Sequence, residues 1–404
     1  MNILYIWDAD YPWDVRVEKI CNTLLQDGHE VHIAARNLKK LPTHEISNGI
    51  EIHRISPWQN DHLNYALSFP VFFNPIWRFF LDRVIKENTI DLIIVRDLPM
   101  AIAGIWAGKR HKIPMIFDMA EDYVAMICDI WKARKFQGMN LIVRNPYLAK
   151  LVEHYVLKEA DHIFVVVEEA KALVIRRGVL SDRVTIVGNT PPLETFNISN
   201  NVQGSIIKMI CDRYSVIYTG GIQMGRGIQV VFEAIPEVIR EIPDFLFVIV
   251  GDGYATPILK NVAEKNNIQD HVLWVGWVEH ARIFEYIKAC RVGIIPHFVT
   301  DHVSTTIPNK IFDYMGLGLP VIASDAAPMK RILEEEECGK VFRDRDPKDL
   351  ARCLKEIYRS CENYGENGEN AIWLKYNWNV DSRVILSLLE RIMNRIISVV
   401  NVND

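Results

Sequence analysis

No apolar run in this chain approaches the ~18 uninterrupted residues of a membrane span, so a spanning helix is not expected. Cysteine is sparse. The seven residues (Cys21, Cys128, Cys211, Cys290, Cys338, Cys353 and Cys361) are odd in number and never take a C-x-x-C spacing, which argues against a disulfide framework and gives no cysteine zinc site. Tracts of lysine or arginine are missing too, and with a net charge of -5 this sets nucleic acid aside as the main partner. The amino terminus, MNILYIWDAD, lacks a basic leader and reaches Asp8 after a short apolar run, so it reads as a first strand of a cytoplasmic chain.

At 404 residues the chain exceeds the roughly 250 to 300 that one hydrophobic core serves, which predicts two domains. Short apolar runs alternate with helical patterns throughout, the mark of parallel sheets flanked by helices. Strands are expected at Ile3 to Trp7, Val31 to Ala34, Ile50 to Ile55, Leu92 to Val95, Met115 to Phe117, Ile163 to Val167 and Val184 to Val187. A second series is expected at Val216 to Thr219, Phe245 to Val250, Leu273 to Val275, Val292 to Ile295 and Val321 to Ala323. Between the two series, Asn189 to Gln203 has the prolines and asparagines of a linker. The reading is an α/β chain of two doubly wound, Rossmann-like domains, residues 1–194 and 195–370, with ligands expected beyond the carboxyl ends of the strands in a cleft between them. Residues 371–404 are expected to form a helix that crosses back to the first domain.

The most informative stretch is VIYTGGIQMGRG, Val216 to Gly227: a strand that ends in a glycine-rich loop holding Arg226. Ile228, Val231, Phe232, Ile235, Val238, Ile239 and Ile242 then recur at helical spacing. Glycines allow close backbone approach and a helix start carries unpaired N–H groups, so this loop suits a diphosphate, with Gly220, Gly221, Gly225 and Arg226 as the contacts. A second segment, STTIPNKIFDYMGLGLP from Ser304 to Pro320, follows another strand. Thr305 or Thr306 is expected as the N-cap and Pro308 in the first turn, with Lys310 and Asp313 on one side of the helix. Asp313 suits the paired hydroxyls of a ribose, and Lys310 a phosphate.

In order and spacing these motifs resemble the family 4 glycosyltransferases of the GT-B fold. The matching residues are Tyr218-Thr219-Gly220 with Arg226-Gly227, Val248 to Gly253, Gly276-Trp277-Val278, and Tyr314-Met315 through Gly318-Leu319-Pro320-Val321-Ile322. In the first domain Asp14 to Lys19, Gly28 to Val31, Ala160-Asp161 and Asn189 extend the resemblance. It implies a retaining transfer of a sugar from a nucleoside diphosphate sugar to an acceptor hydroxyl, without a metal or other cofactor. The "P-[SN]-K" subgroup it points to is common in bacterial polysaccharide assembly, so the acceptor would be a polysaccharide glycan of a bacterial surface. The second domain would hold the nucleotide through Gly220, Gly221, Gly225, Arg226, Gly251, Trp277, Val278, Thr305, Ile307, Pro308, Asn309, Lys310 and Asp313. Asp14, Arg16 and Asp97 would lie on the acceptor side.

Three departures from the family pattern stand out. Gly221 takes the place of a usual arginine, so Lys310 is expected to supply the missing cation beside Arg226. Thr305 stands where an acid usually contacts the donor sugar. Asp118-Met119-Ala120-Glu121 replaces D-x-H-E, so Glu121 or Asp118 is expected to bind the donor sugar or take the acceptor proton.

Other features carry less. Asp8-Ala9-Asp10 follows the first strand directly and reads as loop capping, not a metal motif. Gly251-Asp252-Gly253 lacks the third glycine of a dinucleotide fingerprint. His297 and His302 lack metal-ligand spacing and read as solvated loop histidines. The aromatic and basic stretch Phe69 to Lys86 suits either a core helix or a membrane interface, and with a second such stretch, Trp131 to Phe136, it leads to the expectation of a lipid-linked acceptor and a peripheral position on the inner face of the membrane. The rival readings are a nucleotide-sugar epimerase or hydrolase on the same fold, and a catalytically silent nucleotide-sugar-binding partner.

Overall fold

Strands buried on both faces read as unbroken apolar runs, and in a computed structural model those runs build two separate, mainly parallel sheets. The structure describes residues 1–12, 14–133, 141, 144–197 and 204–403, with side chains except at 133 and 395–403. Residues 134–136 of the second basic stretch and 198–203 of the linker lie outside it.

One compact unit comprises Met1–Gly188 with Asp381–Asp404, and the other comprises Asn189–Val380. The transitions thus fall at 188/189 and 380/381, where 194/195 and 370/371 were expected. Local hydrogen bonds account for the positions. Within the first unit the Gly188 N–H donates to Asp381 Oδ1 at 2.9 Å, and within the second the Trp378 N–H donates to the Pro191 carbonyl at 2.9 Å. The carboxyl-terminal segment is two helices, Tyr364–Leu374 and Trp378–Asn403, where one was expected. Asp381 opens the part of the last helix that belongs to the first unit, and Ile385, Leu388 and Leu389 are buried there.

The first unit holds β1 (Asn2–Asp10), β2 (Glu30–Arg36), β3 (His44–Ser47), β4 (Ile50–Arg54), β5 (Leu92–Arg96), β6 (Met115–Met119), β7 (His162–Val165) and β8 (Val184–Ile186). Their order is β3-β4-β2-β1-β5-β6-β7-β8, all parallel except β3 on β4. The second unit holds β9 (Tyr214–Thr219), β10 (Phe245–Val250), β11 (Val272–Gly276), β12 (Val292–Ile295), β13 (Val321–Ser324) and β14 (Gly339–Phe342) in the order β11-β10-β9-β12-β13-β14. Each sheet reverses its winding once, between β1 and β5 and between β9 and β12. At such a switch point the loops leaving two strands part to opposite faces and open a crevice. Two edge strands escaped the sequence pattern: β3 (HEIS) is largely exposed, and β14 is only four residues long.

The helix after the glycine-rich loop runs from Ile228 to Val238 and carries Pro236. It is shorter than its apolar pattern, which continues to the buried Ile242. Pro236 has no N–H to give to the turn behind it. Among the described residues no helix is long and apolar enough to cross a membrane.

Candidate functional site

The second unit gathers its candidate residues at the β9/β12 switch point. β9 ends at Thr219, whose N–H donates to the Tyr314 hydroxyl at 3.0 Å. Gly220 follows with φ 116, a conformation that side chains rarely adopt, and a Cβ there would lie 3.2 Å from Lys310 Nζ. The loop is held from its own side by the Tyr218 hydroxyl, which donates to the Gly221 carbonyl at 3.0 Å. Gly221 and Gly225 are exposed; Gly225 has open space beside it, and a Cβ at Gly221 would meet only the Gln223 side chain, at 4.0 Å. Arg226 closes a short 3₁₀ turn, Met224–Arg226, and the helix beginning at Ile228 has no side-chain cap. The Val230 N–H turns back to the Gly227 carbonyl at 2.9 Å, which leaves the N–H groups of Ile228 and Gln229 as donors for a ligand.

Two cationic side chains converge here. Lys310 Nζ sits 3.9 Å from the centroid of the Tyr218 ring. Burial and the neighbouring Arg226 hold the Lys310 ammonium well below the usual lysine range, with Asp313 opposing them. Arg226 Nη1 lies 3.3 Å from His297 Nδ1. His297 is not a solvated loop residue: it is 2% exposed, and burial first, then Lys310 and Arg226, keep its imidazole neutral. Because Arg226 donates to Nδ1, the ring proton belongs on Nε2, which is buried without a hydrogen-bond partner.

Other expectations for this unit divide. Gly251 (φ 136) packs against the glycine-rich loop itself: a Cβ there would lie 2.1 Å from the Gly220 carbonyl oxygen, so close backbone packing explains this glycine without a ligand. Thr305 and Thr306 do not cap the helix. Their hydroxyls donate back to the His302 carbonyl at 3.2 and 2.9 Å, and the helix Lys310–Gly316 is preceded by Asn309, with Pro308 in the turn before it. Ile307 is buried, while Asn309 is exposed and Asp313 half-buried. Trp277 stands 75% exposed just past the carboxyl end of β11, with the half-buried Val278 next to it.

The first unit has its own cluster at the β1/β5 switch point. Asp118 is fully buried and both its oxygens are occupied: Arg16 Nη2 approaches Oδ1 at 2.6 Å and the Tyr5 hydroxyl donates to Oδ2 at 2.7 Å. Despite burial, Arg16 holds the Asp118 carboxyl below its usual range. The remaining Arg16 donors reach the Val187 and Gly188 carbonyls at 3.0 Å. This pair is an interior brace, so neither proton transfer by Asp118 nor acceptor contact by Arg16 fits. Asp14 is likewise structural, accepting from the Arg16 and Val17 N–H groups as the N-cap of the helix Val15–Gln26 and pairing with Arg96.

Asp97 is different. It follows β5 with φ 57, uncommon for a residue with a side chain, and its Oδ1 is buried without a partner while Oδ2 lies 3.3 Å from Arg96 Nε. Burial, with Glu121 and Asp8 adding negative charge and Arg96 opposing, pushes the Asp97 carboxyl up to about 7. Asp8 is pushed up to about 6, mainly by burial. It sits where β1 slips register against β2 between Ile6 and Asp10, an irregularity of the kind that re-aims side chains. Asp10 Oδ1 accepts the Leu38 N–H at 2.6 Å, so loop capping applies to Asp10 and not to Asp8. Glu121 is exposed on the turn after β6. A proton-accepting carboxylate here is therefore better served by Asp97 than by Asp118.

A groove in the same unit is lined by Phe73, Trp106, Leu148, Leu151 and Tyr155 with Arg78 and Arg110 at its edge, and encloses about 810 Å³. The helix Pro75–Asn88 that flanks it buries Trp77 and Phe80 in the core and exposes Phe79, Arg83 and Lys86. The core reading thus holds for one face of this segment, and the other face is exposed.

The family models for "Glycosyl transferase 4-like domain" and "Glycosyl transferases group 1" match residues 14–190 and 213–360. Among curated relatives, the alpha-D-kanosaminyltransferase of Streptomyces kanamyceticus is 27% identical over 41% of this chain and 42% of its own length. An uncharacterised glycosyltransferase of Methanocaldococcus jannaschii is 19% identical over 90% of each chain. The alpha-monoglucosyldiacylglycerol synthase of Streptococcus pneumoniae is 22% identical over 68% of this chain and 60% of its own. The match thus spans less than half of the first relative and most of the second. Two solved structures share the fold: sucrose-phosphate synthase of Thermosynechococcus elongatus (TM-score 0.75, 18% identity, 98% of this chain and 99% of that one) and Anabaena HepE in complex with UDP (TM-score 0.71, 13% identity, 97% and 100%). Two doubly wound units with these matches define a glycosyltransferase of the GT-B fold. The chain belongs to family 4 of that class.

Proposed function

We propose that the protein transfers a sugar, with retention, from a nucleoside diphosphate sugar to an acceptor hydroxyl, and that the step needs no metal. The observation that carries this reading is the pairing of Lys310 with Arg226 beside a neutral His297 at the β9/β12 switch point. A lysine ammonium lowered by burial and by a neighbouring guanidinium is costly in the free protein, and a diphosphate is the ligand that compensates both cations. Departure of the diphosphate concentrates charge on its oxygens, which Arg226, Lys310 and the uncapped helix start would stabilise. Trp277 offers an exposed face for a base. HepE, similar in fold, was solved with UDP bound. In the first unit Asp97 would orient or deprotonate the acceptor hydroxyl, and retention permits the leaving phosphate to take that proton instead.

For the acceptor, the proposal is a lipid-linked or polysaccharide glycan of a bacterial surface, met at the membrane. It draws on the apolar groove with its arginine edge and on the diacylglycerol relative. Thermal shift against UDP, GDP, ADP and their sugar conjugates, with and without magnesium, tests the donor site: stabilisation by one nucleotide, indifferent to magnesium, is expected. No shift with any nucleotide would overturn it. Flotation with anionic liposomes tests the membrane part, which fails if the protein stays at the bottom of the gradient.

A further inference from the structure

Along β2 and β4 the first sheet holds a cluster of imidazoles that the proposed transfer does not use. The β2/β4 register sets His32 opposite Glu51, and the β3/β4 register sets His44 opposite His53. Glu51 and His53 are two apart on one strand and so share a face. His32 Nδ1 lies 3.2 Å from His53 Nε2 and 3.6 Å from Glu51 Oε2, and His53 Nε2 lies 3.9 Å from the same oxygen. Metal–ligand bonds of about 2.0–2.2 Å in a tetrahedron set ligand atoms about 3.3–3.6 Å apart, so the three atoms already approach the edges of one coordination shell.

We propose that His32 Nδ1, His53 Nε2 and Glu51 Oε2 form a divalent-metal site, suited to zinc, that clips β2 to β4 at the edge of the first sheet.

The chemistry of the donors supports this. Imidazole binds a metal through a ring nitrogen that carries no proton, and both rings are buried, His32 at 3% and His53 at 7% exposure. Glu51 supplies the negative charge. The other ring nitrogen of His32 is buried without a partner, so the polar capacity of that ring is spent on this cluster alone. His44 Nε2 is 3.5 Å from Glu51 Oε2 on an exposed side chain, placed to take the fourth position after a rotation that water would otherwise fill. A cavity of about 290 Å³ lined by Thr43, His44, His53, Arg83 and Glu87 gives the ion a path from solvent. Arg83 is the one cation on this path, and Glu87 shares the wall with it. Such an ion would act on stability, since no residue of the donor loop or of the Asp97 cluster takes part.

The test is calorimetric titration of chelator-stripped full-length protein with zinc chloride, paired with thermal melts. One zinc per chain and a raised melting temperature are expected. Glu51→Gln, on a partly exposed side chain that leaves the fold intact, should weaken binding by ~100-fold or more and abolish the thermal shift, as loss of a metal ligand does. His53→Gln should behave alike. Equal zinc affinity in Glu51→Gln and the wild type, or no binding tighter than that of exposed histidines, would overturn the proposal. Neither result touches the donor site, which is read separately by nucleotide binding.

Discussion

Replacing Arg226 by alanine separates ligand binding from folding. Among the described residues Arg226 has no carboxylate partner in the free protein; its neighbours are His297 Nδ1 at 3.3 Å and the Lys310 charge that it depresses. Removing it deletes a repulsion and no buried ion pair, so the free protein should keep its stability within about 0.5 kcal/mol, the usual range for a substitution that breaks no special feature. Binding should respond oppositely. A charge-assisted hydrogen bond contributes about 1.5–3 kcal/mol, which converts to a loss of roughly 10- to 150-fold in nucleotide affinity. Turnover should fall further, by about 10² to 10³, because the charge on the departing diphosphate is greatest in the transition state. Urea melts report the first quantity, calorimetry with the preferred nucleoside diphosphate the second, and release of nucleotide from the donor the third. An Arg226→Ala protein that is folded, stable and binds nucleotide as the wild type does would refute the phosphate assignment. One that loses several kcal/mol of stability would refute the claim that the residue is unpaid for by the fold.

Three further outcomes follow from the same reasoning. Burial and Arg226 lower the Lys310 pKa in the free protein, and a bound diphosphate would raise it again, so the complex holds more protons and nucleotide affinity should rise as pH falls through the alkaline range; titrations in buffers of different ionisation enthalpy should show proton uptake, and its absence would count against Lys310. Asp97, with a carboxyl near 7, should impose an acid limb close to that pH on kcat/KM, because the ionised form accepts the proton; Asp97→Asn should flatten the limb and lower the rate by about 10² or more, and an unchanged profile would remove Asp97 from the chemistry. Asp118→Asn strips the charge from a fully buried pair with Arg16 and should cost about 3–5 kcal/mol in a denaturant melt, whereas a loss of turnover at unchanged stability would restore Asp118 as a reacting group.

The sheets were readable because parallel strands buried on both faces leave apolar runs, and Phe245–Val250 appears in the sequence with the bounds it has in the structure. What escaped had no such trace. The edge strands β3 and β14 bury too little to need apolar runs. Thr305 and Thr306 looked like caps by spacing, yet their hydroxyls turn back to the His302 carbonyl, a local competition that residue type alone does not decide. Asp118 and Asp97 are both acids at the ends of adjacent strands, and no pattern tells them apart. The difference comes from Arg16, distant in sequence, which neutralises one and leaves the other to its burial. The His32–Glu51–His53 group was invisible for the same reason, since its ligands meet only through strand register.

The two units also share an electrostatic logic. At the β9/β12 switch point the close charges are both positive, and at the β1/β5 switch point Asp8, Asp97 and Glu121 crowd negative charge together, with Arg96 partly offsetting it. Like charges held near one another in poorly solvated places raise the energy of the free protein, and a fold under selection for stability alone would pair or replace them. In the first unit the protein shows that it can do so, because Arg16 and Asp118 are matched bidentately, whereas Asp97 keeps only the longer contact with Arg96 and an unpartnered Oδ1. Both of these mismatches lie where strand topology opens a crevice. A ligand bearing negative charge would relieve the first, and a hydroxyl that donates its proton would relieve the second. A sugar leaving a diphosphate for an acceptor hydroxyl supplies both.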